Sequence, residues 1–482
     1  MALYQTLDPE RVFYYFEQIC SIPHGSGNTA AISNYLAEFA SSHGLFCLQD
    51  DMGNILIRKA PSAGYENAPG VILQGHMDMV CEKRPESSHD FLKDPLDLQT
   101  DGTYLFAKDT TLGGDDGIAV AYALAVLESD TIPHPPLEVL VTVDEEIGLL
   151  GAEGFDCSVL QGRRLINIDS EAEGSIWVSC AGGLVGTSTL PVTWTDGEGL
   201  KIKVRLEGLT GGHSGAEIDK IRASAVNLMG RLLYRLDEKF DFGIWALAGG
   251  SKDNAIPISS EAGILIRKDD LDEVKSCMET LQCELREEYA GSDEDIRITV
   301  DAGETGTCKV LAPNSHSKVI FLLHQIPYGV NKMSGTVAGL VETSDNPGIL
   351  TLDEQELSLA TSIRSSINSG KKALSDRIAH LTMMLGGEYE ISGEYPAWAY
   401  RSDSPLREKM AEVFERLYGH RPAEVAIHAG LECGLFYRQM PDLDCVSIGP
   451  DILDIHTFSE RLDLASVKRV WDFLVESLAA LH

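Results

Sequence analysis

The ten cysteines of this 482-residue chain include no C-x-x-C pair. That absence argues against thiolate zinc sites and dithiol redox motifs. Cys47, Cys180 and Cys445 sit in apolar runs and read as buried thiols of a reducing compartment. No segment reaches the ~20 apolar residues that a membrane span needs. The opening "MALYQTLDPERVFYYFEQIC" has no basic flank ahead of its apolar residues. It reads as an amphipathic helix and not as a signal peptide, so a cytoplasmic protein is expected. Positive charge is scarce as well: 39 Lys and Arg face 74 Asp and Glu, a formal net charge of −35. Such a field repels nucleic acid and anionic membrane surfaces. The chain has no H-E-x-x-H, no short-period repeat and no low-complexity tract.

What remains is ordinary globular sequence, 44% hydrophobic and 23% charged. Its length calls for at least two domains, because single cores stop growing at ~250–300 residues. "GVILQ" (70–74), "LEVLVTV" (137–143) and "RLINI" (164–168) are short branched runs, as in strands buried on both faces. "DDGIAVAYALAVLES" from Asp115 reads as a buried helix between the first two, a βαβ pattern. Near residue 186 the style changes. "LKIKVRLEG" (200–208) alternates with period two, and 216–240 carries one long helical pattern. Strand–helix–strand order then recurs over 263–303 and 358–395. After Tyr395 buried-strand sequence returns with "LDCVSI" (443–448), followed by an amphipathic helix over 462–481. The expectation is an α/β catalytic domain with a mainly parallel central sheet flanked by helices. It comprises 1–185 and 394–482, interrupted at 186–393 by an inserted α+β lid domain with two similar halves.

Chemistry gathers where the strands end. "VILQ" leads to His76 and Asp78, "LEVLVTV" to Glu145 and Glu146, "LINI" to Asp169, and "LDCVSI" towards His456. Asp115 and Asp116 open the buried helix. Ligands of open α/β sheets bind outside the carboxyl ends of the strands. Taken singly, each residue has a plain structural explanation: a satisfied histidine, a solvated turn, a helix cap. Together they converge carboxylates that repel and resist desolvation, a cost that a divalent cation removes. Imidazole with carboxylate suits zinc, and also cobalt or manganese. Two histidines and several carboxylates suffice for two ions, with one carboxylate left over as a general base. A second constellation, "GLTGGHSGAEI" (208–218), places His213 among glycines. It fails as a nucleophile elbow because residue 216 is alanine, which argues against a serine hydrolase.

"GHMDMV", "GGDDGIA", "TVDEEIGLLGA", "INIDSE", "GLTGGHSG" and "HAGLECG" occur in this order from about His76 towards His456. They resemble the aminoacyl-histidine dipeptidase family, also called peptidase D or cytosol non-specific dipeptidase. That family belongs to the dinuclear zinc peptidases related to aminoacylase and glutamate carboxypeptidase. The resemblance implies that Asp115 bridges two metal ions, with His76 and Asp169 on one and Glu146 and His456 on the other. It implies that Asp78 orients His76, that Glu145 is the general base, and that His213 stabilises the oxyanion from a closing lid or a dimer partner. Glu432 and Arg364 are implied contacts for a dipeptide's amine and carboxylate. "GGDDG" departs from the commoner "G-A-D-[DN]-G" only by the small Gly114; "HTFSERL" departs from "H-S-P-D-E", which leaves His428 as a competitor to the preferred His456. The implied activity is hydrolysis of unblocked dipeptides, including Xaa-His, in a homodimer. An N-acyl amino acid deacylase is the alternative. A silent binding protein would have lost the base or a ligand, and all are present.

Overall fold

The run Gly117–Leu127 is apolar on every side, and the computed structural model buries all of it. The structure describes residues 3–482. The first helix, α1 (Glu10–Cys20), and α2 (Ala30–Ser42) precede this element, α3 (Gly114–Glu128). Gly117 lets α1 approach, since a Cβ there would stand 3.3 Å from the Phe16 ring. On another side Tyr122 donates to Val467 O at 2.8 Å and stacks on Trp471.

The sheet beside α3 has eight strands: β1 (Phe46–Gln49), β2 (Ile55–Lys59), β3 (Val71–His76), β4 (Leu137–Thr142), β5 (Arg164–Asn167), β6 (Ser175–Cys180), β7 (Ala423–Ile427) and β8 (Asp444–Ser447). Their spatial order is β1-β2-β4-β3-β5-β8-β6-β7. The central four, β4-β3-β5-β8, run parallel. Every residue of β3 and β4 is buried, which explains the apolar runs Val71–Leu73 and Val139–Val141 within them. Their register runs from Val71↔Leu137 to His76↔Thr142, so His76 ends β3 beside the end of β4. The helices α4 (Pro405–Tyr418), α5 (Cys433–Gln439) and α6 (Leu464–Ala480) also belong to this part.

The chain up to Ser179, with Tyr400–Ala426 and Leu431–His482, makes one compact unit. The other comprises Cys180–Ala399 and Ile427–Gly430. The second unit is built on a nine-stranded antiparallel sheet with its own apolar core around Val204, Leu232, Ile264 and Leu281. Two strand–helix–strand pieces recur in it: Ser260–Ile266, Leu271–Glu288, Arg297–Leu311, and Glu356–Ser365, Asn368–Met384, Glu388–Tyr395. This is the α/β fold with an inserted α+β domain that the strand patterns led one to expect.

Two local expectations need correction. The helical pattern over 216–240 is not one helix: a single 3-10 turn, Ile218–Lys220, ends at Ile221 with φ 52°. The helix proper is Ala225–Asp237, started by Ser224, whose hydroxyl accepts from Asn227 N. Cys47, expected to be buried, is only partly so, in an outer strand; Cys180 and Cys445 are buried. Among the described residues no helix is long and apolar enough to cross a membrane.

Candidate metal centre

The carboxyl ends of β3, β4 and β5, the start of α3 and the loop after β8 all lie in the first unit and bring their donors together. His76 closes β3; its Nε2 lies 3.1 Å from Asp115 Oδ1 and 3.7 Å from Asp169 Oδ1. His456, with φ 60°, places Nε2 3.2 Å from Asp115 Oδ2 and 2.9 Å from Glu146 Oε1. Asp115 therefore gives one oxygen to each histidine. Two donor groups, Asp115–Glu146–His456 and His76–Glu145–Glu146, each gather within 4.8 Å.

Asp116 also comes within 4.8 Å of the His76 and Asp169 donors. Its Oδ2, however, already accepts the His76 backbone N–H at 3.1 Å, which makes it a brace under β3. Sequence reading noticed Asp116 only as half of a helix start, because the brace joins backbone and side chain and leaves no motif.

Asp78 lies behind His76. Its Oδ1 is 3.4 Å from His76 Nδ1, and its main-chain oxygen is 3.0 Å from the same nitrogen. Asp78 also accepts Glu145 N at 3.0 Å, Glu146 N at 3.3 Å and the Ser26 hydroxyl at 2.8 Å. These contacts fix the start of the loop after β4 and turn His76 Nε2 towards the cluster, as supporting shells of metal sites do.

The charges explain why the site suits cations. Burial pulls His76 down, but hydrogen bonds to Asp115 and Asp78 raise its pKa well above the ordinary range. His456 is raised to about 10 by its hydrogen bonds to Asp115 and Glu146. Asp169 is pushed well up by burial and then by Asp116. Glu145 is pushed well up by burial, with Glu432, Glu146 and Asp115 adding to the rise. Protons here hold together groups that a divalent cation would hold instead. The donor set, imidazole Nε2 and carboxylate oxygen only, fits such ions.

Glu432 immediately precedes α5 and is fully buried; Oε2 accepts from Thr142 at 2.7 Å and from Gln74. Gln74 in turn accepts from Asn167 at 2.6 Å, so this network ties β3, β4 and β5 together. The expected amine contact therefore has no exposed atom. In the second unit, His213 Nδ1 accepts from Gly215 N at 3.2 Å and Ala216 N at 2.9 Å. Burial, then Arg364, lowers its pKa. The ring is thus neutral with its proton on Nε2. Arg364 donates to the Tyr395 hydroxyl at 2.8 Å, and its Nε has no hydrogen-bond partner among the described residues. Gly215 permits this crowding: a Cβ there would lie 2.5 Å from His428 O and 3.0 Å from Arg364 Nε. His428 belongs to this unit, with Nε2 2.6 Å from Ser344 Oγ.

A parallel sheet whose strand ends gather imidazole and carboxylate in this way is the framework of a metallohydrolase. Residues 72–480 match the peptidase family M20/M25/M40, and the chain belongs to that family. It is 39% identical over 483 residues to a cytosol non-specific dipeptidase from Escherichia coli (strain K12), across 99% of each chain. The crystal structure of aminoacylhistidine dipeptidase from Vibrio alginolyticus matches with a TM-score of 0.93 at 37% identity, over 99% of this chain and 98% of that one. A tripeptidase from Staphylococcus aureus shares the fold at 17% identity, with a TM-score of 0.56, over 98% and 99%.

Proposed function

We propose that the chain is a cytoplasmic metallo-dipeptidase that hydrolyses the peptide bond of unblocked dipeptides, Xaa-His among them. The observation that carries this reading is Asp115, which divides its oxygens between two imidazole–carboxylate groups. Asp115 would bridge two ions, His76 and Asp169 would hold one and Glu146 and His456 the other, with zinc first and cobalt or manganese as substitutes. Bound there, the ions would acidify a water and polarise the scissile carbonyl. Asp78 keeps His76 in the tautomer that presents Nε2. Glu145 has a carboxylate that accepts no hydrogen bond among the described residues, so it is available to take the water's proton and pass it to the leaving amine.

His213 offers Nε2–H to the oxyanion, and the Arg364 guanidinium is assigned to the dipeptide's carboxylate. Glu432 is assigned a supporting role beneath the strand ends. The inserted domain, 186–393 from sequence, is the carrier of His213. Two whole-length relatives named as dipeptidases support the substrate class, and the E. coli relative's name supports the cytosol.

A panel of free dipeptides with one N-acetyl amino acid tests the reading. Hydrolysis of the dipeptides with no turnover of the acetylated compound is expected; the reverse preference would make the chain a deacylase.

His213→Ala is expected to lower kcat ~10²–10³-fold, the usual cost of one oxyanion donor, with metal content unchanged. A homodimer belongs to the same reading. Mixing His213→Ala with Glu145→Gln protein tests whether the histidine serves its own subunit or its neighbour, since only the second case restores activity. A wild-type kcat in His213→Ala would remove the oxyanion role.

A further inference from the structure

Glu460 closes the loop that carries His456, and its side chain is buried, 3% exposed. Among the described residues only backbone amides hold its carboxylate. Leu112 N and Gly113 N donate to Oε2 at 2.7 and 3.1 Å; Gly114 N and Asp115 N donate to Oε1 at 2.8 and 3.4 Å. Gly113, with φ 68°, turns these consecutive amides to one side. Such a concave row of N–H groups at a helix start favours an anion. The amides belong to the segment that ends in Asp115, 345 residues away in sequence. The loop of Glu460 is itself stiffened: Thr457 Oγ1 donates to Asp454 O at 2.7 Å, and Glu460 N donates to Thr457 O at 3.1 Å.

We propose that Glu460 is a positioning residue of the metal centre, clamping the His456 loop to the Asp115 loop so that both side chains meet one ion. The inference rests on the metal-centre reading above. It explains why a buried carboxylate here is bonded to the backbone amides of a distant segment. Four amide donors need two acceptor oxygens. A glutamine of the same shape would supply one and turn an NH2 group against the other pair. Glu460 touches neither substrate nor ion; it acts through the two segments it joins.

The test uses the metal-free full-length chain titrated with zinc alone against a chromophoric chelator. Circular dichroism and melting report whether each variant is folded. Folded Glu460→Gln is expected to bind zinc ~10–100-fold more weakly, as loss of a supporting contact does. In a His456→Ala background the same change should cost little more, because the clamp then has no second ligand to place. A merely structural role would lower the melting midpoint while the folded protein kept its zinc affinity, and that result would overturn the proposal. Losses that add in full in the double variant would overturn it too. If Glu460→Gln does not fold, Gly114→Ala carries the test. A Cβ at 114 would stand 3.2 Å from Glu460 Oε1 and displace the carboxylate slightly. A smaller loss of zinc affinity supports the clamp, and wild-type affinity overturns it. Wild-type protein that binds no zinc would overturn both this inference and the metal centre, whereas failure of the variants alone leaves the metal centre standing.

Discussion

Protein stripped of divalent cations by a strong chelator is expected to lose all measurable peptidase activity and to recover it with zinc, cobalt or manganese. The reason is electrostatic. Without cations the site keeps its carboxylates and imidazoles together only by binding protons. Glu171, beside Asp169 in sequence, is pushed up to about 7 by burial and then by Asp115. Glu432 is likewise held at about 7 by burial, and His456 is raised to about 10 by Asp115 and Glu146. In each case the folded group binds a proton that the unfolded chain has released. Its stabilising contribution is full below the unfolded value and is lost as pH rises through the folded value. The stripped protein should therefore lose stability steadily from about pH 5 towards pH 10. The loaded protein should follow the opposite trend over the acidic part of this range, because deprotonated imidazole and carboxylate bind the cation more tightly. Melting scans of both forms between pH 5 and 8 check the crossing. Full turnover by protein that elemental analysis finds metal-free would end the proposed mechanism.

Glu145→Gln is expected to cut kcat by ~10²–10⁴-fold, the usual contribution of a general base, while two metal equivalents stay bound. Glu145 and Glu146 are neighbours with different surroundings, and the contrast decides their roles. Glu146 Oε1 lies 2.9 Å from His456 Nε2, so Glu146→Gln should lower metal occupancy. The Glu145 carboxylate accepts no hydrogen bond among the described residues, whereas its backbone is anchored, N–H to Asp78 and carbonyl to the Gly148 and Leu149 amides. An amide there keeps the shape and removes the proton acceptor. Metal content and single-turnover rate, measured on both variants, separate the two effects. The opposite pattern would exchange the residues' roles.

The fold class was legible because its signals are local: unbroken branched runs for the parallel strands, period-two alternation for the inserted sheet, and an apolar helix after Asp115. Candidate donors were legible because they follow strand ends. What stayed hidden are pairings across long separations. Asp116 reaches the His76 N–H 40 residues back, Ser26 meets Asp78 over 52, and Glu460 meets four amides some 345 away. No periodicity marks either partner in such a pair. The resemblance implies Glu432 as a contact for a dipeptide's amine, and its burial is invisible in sequence because it depends on Gln74 and Thr142 from two separate strands. Amphipathic spacing over 216–240 predicts one helix because it continues through Ile221, where the backbone turns left-handed and ends the element.

The interrupted first unit has a consequence for biosynthesis. Asp169 is made early, but His456 follows roughly 290 residues later, ~15–60 s at ordinary elongation rates of 5–20 residues per second. Through that interval the nascent chain carries β3, β4 and β5 without β8, and a set of acidic side chains without its second imidazole. Cys180–Ala399, an almost continuous stretch, is positioned to finish folding first. A divalent cation present during synthesis would meet only part of its ligand set. High-affinity loading must therefore follow emergence of the His456 loop, which makes metal capture a late event in the life of each molecule.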